Sequence, residues 1–181
     1  MGALGLRVST GKVVDFRARE HLAEPGNDTY PMIYQGNIHA GWVVWPRDIG
    51  KAQGFRCAPE EFRKFLVPPG VYVVVKRFSA KEEKRRVVAA VHEATTHVAY
   101  DNKTNVFPCP DRDVAVGLAY WLNSTAVDDH FRAFSGHTQV NAADLRIMPY
   151  PSLEQLRLLG SGRDAAMPDQ AVIDAVVEHL L

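Results

Sequence analysis

PPGVYVVVKRFSAKEEKRRVVAAV, residues 68–91, is the stretch of sequence that decides the fold. Pro68-Pro69-Gly70 is a turn signal, and the β-branched and aromatic run from Val71 to Phe78 predicts a strand. A charged connector then leads to a second apolar run, from Val87 to Val91. The two runs together predict a β-hairpin, with a helix as the competing prediction for the second arm.

Shorter apolar runs on either side of the hairpin predict further strands. Val13 to Arg17 follows a turn signal, and Trp42 to Trp45 is closed by a proline. The region between them, Ala23 to Gly41, is rich in turn residues and is predicted to be mainly loop. Beyond the hairpin, Val98 to Tyr100 and Val106-Phe107 predict two more short strands.

From Asp111 onward, apolar residues recur at helical spacing. Asp128 stands three residues after Thr125 and resembles a capping box, and Ser152 followed by Gln155 is a capping box in front of a leucine stripe that ends at Gly160. Helices are therefore predicted to begin at or just after Asp111, Thr125, Asn141, Ser152 and Pro168.

The order of these elements, with strands early and helices late, predicts an α+β fold. Such a fold combines a mixed, mainly antiparallel sheet with C-terminal helices. Residues 1–160 are predicted to form the main domain. Residues 161–181 are predicted to form a linker and a last helix that packs on the same domain.

Composition limits the classes of function. The chain has 181 residues, of which 46% are hydrophobic and 23% charged, and these values are typical of one globular domain. Its 21 basic and 21 acidic residues cancel, so a surface for nucleic acid must be a local patch. Two distant cysteines, Cys57 and Cys109, suit reduced thiols in a cytoplasmic protein. No window approaches the roughly 18 apolar residues of a membrane span, so no membrane partner is expected.

A dense group of basic residues surrounds the predicted hairpin. Positive charge at this density is expected where a protein neutralises neighbouring phosphates, although Glu82 and Glu83 dilute it. The alternative is a solvated hairpin tip that keeps an edge strand soluble. The six basic residues are Lys76, Arg77, Lys81, Lys84, Arg85 and Arg86.

A second group of hydrogen-bonding side chains follows Ser135-Gly136. It consists of His137, Thr138, Gln139 and Asn141. Gln and Asn amides can form paired hydrogen bonds with an adenine edge in the major groove. Asn141 also has a local role available, because it is placed to cap the short helix Ala142 to Arg146.

Several blocks of the chain, taken together, resemble the C-terminal part of adenine-specific DNA methyltransferases from bacterial restriction-modification systems. The resemblance covers about residues 8–160 and is strongest from Leu118 to Pro151. The blocks are Thr10 to Arg17, Tyr30 to Tyr34, Gly41 to Pro46, Lys76 to Ser79, Lys84 to Arg86, Asp101 to Val106, Leu122 to Thr125 and Gly136 to Asn141.

The resemblance implies that residues 1–160 form a target-recognition domain that reads double-stranded DNA. The parent enzyme would flip an adenine and methylate its amino group with S-adenosylmethionine, and an N-terminal catalytic domain would be the partner of this chain. The implied phosphate contacts are Arg77, Lys84, Arg85 and Arg86. The implied base or groove contacts are His137, Thr138 and Gln139, with Arg17 and Asn105 as further DNA-binding candidates.

The chain departs from the family pattern where catalysis is concerned. It has neither a glycine-rich turn for S-adenosylmethionine nor the Asn/Asp-Pro-Pro-aromatic tetrapeptide, since Pro68-Pro69 lies between Val67 and Gly70. Glu82-Glu83-Lys84 has no upstream Pro-Asp partner of a nuclease motif. The histidines lack the spacing of metal ligands. No catalytic, cofactor or metal residues are therefore predicted in this chain.

Two alternatives remain beside DNA recognition. The chain could be a docking module that joins a methyltransferase core to a partner subunit or a nuclease through its apolar last helix. A specificity subunit of a multi-subunit restriction enzyme is the other alternative. That class normally needs paired domains joined by long helices, which 181 residues do not provide.

Overall fold

The computed structural model describes residues 5–79, 84–134 and 139–180. The strands are β1 (Ser9–Thr10), β2 (Leu22–Ala23), β3 (Tyr30–Ile33), β4 (Ile38–His39), β5 (Trp42–Val43), β6 (Gly54–Phe55), β7 (Leu66–Val67), β8 (Gly70–Lys76), β9 (Ala89–Ala94), β10 (Val98–Tyr100) and β11 (Thr104–Cys109). The helices are α1 (Phe62–Phe65), α2 (Arg112–Leu122), α3 (Thr125–Phe134), α4 (Ala142–Ile147), α5 (Leu153–Gly160) and α6 (Gln170–Glu178).

The strands of the described ranges form a six-stranded and a five-stranded sheet. The strand orders are β1-β11-β8-β9-β5-β4 and β2-β6-β3-β10-β7. Only β5 with β9 and β3 with β10 pair in parallel within these sheets; the other neighbours are antiparallel. The predicted α+β class with mainly antiparallel strands and C-terminal helices is confirmed, with two sheets in place of the expected one.

The hairpin of β8 and β9 forms the centre of the larger sheet. Its register runs from Gly70 opposite Ala94 to Val75 opposite Ala89. Val73 and Val75 belong to the core shared with the helices, whereas Tyr72 and Val74 belong to a second core on the opposite face. Burial of both faces explains the unbroken apolar run, since an exposed face would require alternating polar residues. A helix for the second arm is excluded.

Two predictions about the N-terminal region are wrong. Val13 to Arg17 is not a strand: Val13 forms one isolated bridge with Asp101, and Asp15–Arg17 is a 3-10 turn in which Asp15 Oδ1 accepts from the Phe16 N–H at 2.7 Å. Ala23 to Gly41 is not mainly loop, because it contains β3 and β4. β3 pairs with β6 and β10, which lie far along the chain, and β4 has only two residues, so neither strand shows a clear local period.

Helices α2 and α5 pack together at unusually short range. A Cβ added to Gly117 would lie 1.9 Å from the Leu156 carbonyl oxygen, and one added to Gly160 would lie 1.8 Å from that of Asp113. Only glycine permits such an approach of two helix backbones. The predicted caps of these helices are confirmed: Asp111 accepts from the Val114 N–H, and Ser152 pairs with Gln155.

Helix α3 is capped by a different residue from the one predicted. The Ser124 hydroxyl accepts from the Val127 N–H at 3.3 Å, whereas the Thr125 hydroxyl donates to Asp174 at 2.6 Å. Asp174 lies on α6, which begins at Gln170 rather than at Pro168. Ile173 and Val177 of α6 are buried in the core that contains α2 and α3.

Candidate nucleic-acid interface

The connection between β10 and β11 is a fixed turn that links the two sheets. The N–H and the hydroxyl of Thr104 both donate to the Asp101 carbonyl, at 2.9 and 2.7 Å. The Asn102 N–H donates to the Val13 carbonyl at 2.7 Å. The turn is therefore held from within and from the N-terminal segment.

Arg77, a predicted phosphate contact, is anchored to this turn. Its N–H donates to the Lys103 carbonyl at 2.9 Å, and its Nη1 donates to the Asn102 carbonyl at 3.0 Å. Its Nη2 donates to the side-chain oxygen of Gln139 at 3.3 Å. The guanidinium also lies 5.7 Å from the ring centroid of Phe78, whose side chain is 37% exposed. The structure thus brings together Arg77 and Gln139, which are 62 residues apart in sequence.

Asn105 holds the segment that carries Gln139. It is fully buried, and its Nδ2 donates to the Val140 carbonyl at 2.7 Å. The Val140 N–H in turn donates to the Arg77 carbonyl at 2.7 Å, and Gln139 forms an isolated antiparallel bridge with Phe78. The side chain of Asn105 positions Gln139 and is not exposed to a ligand in this structure.

Arg85 and Arg86 are placed against the helices. Arg86 is 3% exposed, its Nε donates to the Ser79 hydroxyl at 3.1 Å, and its N–H donates to Asp128. Arg85 is half-buried and its Nη1 donates to the Asn123 carbonyl at 2.6 Å; burial lowers the pKa of this guanidinium. These contacts assign both residues a part in fixing the hairpin to the helices. Lys84 is exposed.

Arg17 is exposed and lies beside Phe16 in the N-terminal segment. Its guanidinium is 5.4 Å from the Phe16 ring, which is 60% exposed. Nearby, a 2.6 Å hydrogen bond from Lys51 lowers the pKa of Asp15, burial opposes this change, and Lys103 adds to the lowering. Lys51 is thus paired with Asp15, two residues before Arg17, and the charge of Lys103 acts on the same carboxylate.

We use the name turn surface for seven residues that belong to this connection, to the segments around Arg77 and Gln139, or to the N-terminal segment with its partner Lys51. Lys51, Lys103 and the two exposed aromatic residues were not among the sequence candidates. Lys103 lies in a polar segment, and this signal could have made it a DNA-binding candidate. Phe78 ends an apolar run, so the sequence gives no sign that its side chain is exposed. The turn surface consists of Phe16, Arg17, Lys51, Arg77, Phe78, Lys103 and Gln139.

His137 and Thr138 lie outside the described residues, as do Lys81 and the two glutamates of the connector. The chain order nevertheless fixes where these segments attach. Segment 80–83 follows Ser79, and segment 135–138 precedes Gln139. Both are thus joined to the fold beside the bridge between Phe78 and Gln139.

The chemistry of the turn surface suits a nucleic acid. Lysine and arginine neutralise phosphates, an amide can hydrogen-bond a base edge, and exposed aromatic rings can stack or wedge against bases. Within the described ranges, no three His, Cys, Asp or Glu side chains come together as a metal site. None of the helices in this part of the chain is long and apolar enough to cross a membrane.

Comparison with known proteins relates the chain to one class of enzyme. It is 40% identical over 187 residues to the type II methyltransferase M.PstI of Providencia stuartii, a match that spans 98% of this chain and 37% of that protein. It is 42% identical over 193 residues to the type II methyltransferase M.BsuBI of Bacillus subtilis, spanning 98% and 38% respectively. No family model matches the chain. Nearly the whole chain thus corresponds to a part, less than two fifths, of these type II methyltransferases.

Proposed function

We propose that this chain is the DNA-binding target-recognition part of an adenine-specific DNA methyltransferase of a restriction-modification system. The partners in this proposal are double-stranded DNA and an N-terminal catalytic domain, and the site of action is the cytoplasm. The observation that carries the proposal is the contact of Arg77 with Gln139 beside exposed Phe78. It places a cation, an amide and a ring within reach of one ligand.

The distribution of charge supports a local interface. The chain has no net charge, so attraction of DNA must come from a patch. Arg77 and Lys103 lie at the turn, Lys51 is paired with Asp15 near exposed Arg17, and exposed Lys84 follows the connector that leaves Ser79. We assign phosphate contact to these five residues. Arg85 and Arg86, which are held against the helices, are assigned to positioning of the hairpin.

We assign base contact to Gln139 and to His137 and Thr138, which precede it in the chain. Gln139 is half-buried and fixed by its bridge to Phe78 and by its contact with Arg77. A side chain that recognises a DNA base must be held in place, because a mobile amide discriminates poorly between bases. Asn105 helps to hold Gln139 in place by donating a hydrogen bond to the carbonyl of the next residue, Val140.

The residues of this chain do not fit S-adenosylmethionine. Such cofactors are bound at a glycine-rich turn between a strand and a helix. The junction between β11 and α2 reads Cys109-Pro110-Asp111-Arg112 and contains no glycine. We therefore assign the cofactor and the methyl transfer to the remainder of the parent enzyme.

The docking alternative is less well supported. It calls for an exposed apolar face on residues 172–180, but Ile173 and Val177 are buried within this chain. Val172, at 49% exposure, is the one large apolar side chain of α6 that is recorded as exposed in the described part of the chain.

The proposal is tested by selecting randomised DNA duplexes with the purified chain at low and moderate salt. We expect an enriched motif, and we expect retention to weaken as salt increases because phosphate contacts release counterions. Gln139→Ala should change the enriched motif. Salt-sensitive retention without a motif would limit the role of the chain to phosphate binding, and no retention at either salt would contradict the proposal.

A matched pair of variants separates the loss of a DNA contact from a general effect of removing a lysine. Lys103→Gln removes a charge of the turn surface, whereas Lys64→Gln removes an exposed lysine of α1 outside that surface. We expect Lys103→Gln to weaken binding to all sequences and to reduce the salt slope by about one. Lys64→Gln should leave both unchanged, and an equal effect of the two would remove the turn surface from the interface.

A further inference from the structure

A cleft lies where two strands of the larger sheet diverge. β5 and β9 pair in parallel at a single position, Trp42 opposite Val91, where the Val91 N–H donates to the Gly41 carbonyl at 2.8 Å. β9 then continues to Ala94 without β5 beside it. Because main-chain groups alternate in direction along a strand, the N–H and C=O of Glu93 point the same way as those of Val91, into the gap.

The walls of this cleft combine aromatic and apolar side chains with polar residues, among them Thr29, Thr95 and Thr96. Trp42, Trp45 and Val98 line it, and its volume is about 460 Å³. The Trp45 indole N–H donates to the Gln53 carbonyl at 2.8 Å, which fixes that ring. A volume within the range of about 300–1,000 Å³ is typical of sites that enclose small ligands.

The polar groups of the cleft favour an uncharged ligand that donates hydrogen bonds. Glu93 lines it and shares one carboxylate oxygen with Arg112 at 3.0 Å. His92 lines it too; Nδ1 lies 2.7 Å from the Tyr100 hydroxyl, which leaves Nε2 available. Burial lowers the pKa of His92 to about 4, so its ring is neutral at pH 7. No Lys or Arg is among the described residues that line the cleft, and Arg112, whose guanidinium lies 5.9 Å from the Trp42 ring centroid, is paired with Glu93; this disfavours a phosphate.

We propose that this cleft binds the planar heterocycle of an unstacked nucleobase that carries an exocyclic amino group. The indole rings provide stacking surfaces, and the carboxylate of Glu93 accepts from the amino group. The base can belong to a free nucleoside or to an unpaired nucleotide of DNA, and only the second source rests on the proposed function. The cleft lies at the Ala94 end of the hairpin, whereas Arg77 follows its Lys76 end, so the two sites can be inactivated separately.

The test follows the indole N–H signals of the three tryptophans by NMR while adenosine or inosine is added. Trp42 and Trp45 line the cleft, whereas buried Trp121 on α2 does not and serves as the internal reference. We expect adenosine to shift the first two signals and to bind at least about fivefold more tightly than inosine, which lacks the amino group. Absence of these shifts, or equal shifts of Trp121, would overturn the inference.

Two variants test the role of the carboxylate. Glu93→Gln should reduce the preference for adenosine over inosine to less than about twofold, because an amide is a weaker acceptor. Arg112→Gln breaks the same ion pair and removes the guanidinium over the Trp42 ring, so it can change the affinity for both nucleosides, but it keeps the carboxylate and should retain the preference for adenosine. A preference that survives in Glu93→Gln would contradict the assignment of the amino group to Glu93.

Competition experiments with DNA duplexes show whether DNA supplies the base. They also separate a failure of the cleft proposal from a failure of the proposed function. If DNA supplies it, a duplex with one unpaired adenine should compete with adenosine, whereas a fully paired duplex should not. Adenosine binding without any duplex binding would leave the cleft as a nucleoside site and would count against the proposed function. Binding of paired duplex without adenosine binding would contradict the nucleobase cleft and would leave the proposed function intact.

Discussion

Asn123 joins the central hairpin to helix α2 through three side-chain hydrogen bonds. Its Nδ2 donates to the carbonyls of Ala89 and Ala119 at 2.9 and 2.7 Å, and its Oδ1 accepts from the Ala89 N–H at 3.2 Å. The side chain is 2% exposed. This residue lies in the block from Leu122 to Thr125 that carried part of the family resemblance, and it has a structural role.

We therefore predict that Asn123→Ala destabilises the protein. The substitution leaves buried main-chain groups of Ala89 without partners, and the free energy of unfolding should decrease by about 2–4 kcal/mol. Urea unfolding at equilibrium measures the change. The matched control is Asn27→Ala, which truncates an exposed asparagine and should change stability little. Similar values for the two variants would show that the hydrogen bonds of Asn123 contribute little.

A second prediction concerns His92 and pH. Its pKa is about 4 in the folded chain because of burial, against a usual value of 6.5. The unfolded chain thus takes up a proton first, and stability falls as pH decreases from 6.5 towards 4. Between pH 7 and pH 5 this histidine should account for a loss on the order of 1–2 kcal/mol.

Urea unfolding of the wild type and of His92→Gln at both pH values tests this expectation. The variant has no imidazole to protonate, so its stability should change less between pH 7 and pH 5. His39→Gln, at an exposed position, is the control and should behave as the wild type does. An identical pH dependence of wild type and His92→Gln would refute the predicted proton uptake.

At the scale of elements, sequence patterns found the long strands and helices and the short strands β5 and β10, but missed other short strands. The seven-residue β8 and the eleven-residue α2 carry enough residues to display a period, and both were predicted. β2, β4 and β6 have two residues each, which is too few to show a period, and β2 and β6 pair with each other across a long stretch of chain. The contact of Arg77 with Gln139 is equally non-local, which is why charge and amide residues could be nominated from sequence but not brought together.

The contact of α2 with α5 leads to a prediction for Gly117. Alanine at this position places a methyl group against the Leu156 carbonyl, so the helices must separate and stability should decrease by about 2 kcal/mol or more. Thermal unfolding monitored by circular dichroism measures this loss. Gly26→Ala is the control, because the atom nearest to its added Cβ is 3.3 Å away in the flexible side chain of Asp28. Equal melting temperatures for wild type and Gly117→Ala would contradict the tight helix contact.

At the scale of the whole molecule, residues 161–180 make contacts throughout the helical layer. The Gln170 side chain donates to the Asn123 carbonyl at 3.0 Å, and the Met167 N–H donates to the Ala40 carbonyl at 3.0 Å. Asp174 accepts from the N–H and the hydroxyl of Thr125. The C-terminal segment is thus bonded to helix and sheet alike.

We predict that a chain ending at Gly160 loses most of its stability. Removal of Ile173 and Val177 exposes apolar surface worth about 1.5–3 kcal/mol for each buried side chain. Urea unfolding of the shortened chain tests this. Because we expect that chain to be difficult to purify, full-length Ile173→Ser serves as a second variant, with Val172→Ser at an exposed position as its control. Wild-type stability of Ile173→Ser would mean that the last helix is an appendage.

The bridge of Gln139 to Phe78, with Asn105 holding Val140, has a consequence for engineering. It fixes the point at which segment 135–138 rejoins the fold, and α3 fixes the point at which it leaves. Substitutions at these four positions leave the residues at both attachment points unchanged. If the proposed function holds, libraries confined to these positions should yield chains with new DNA preferences and unaltered melting temperatures, and related enzymes could have diverged in their target sites by the same route.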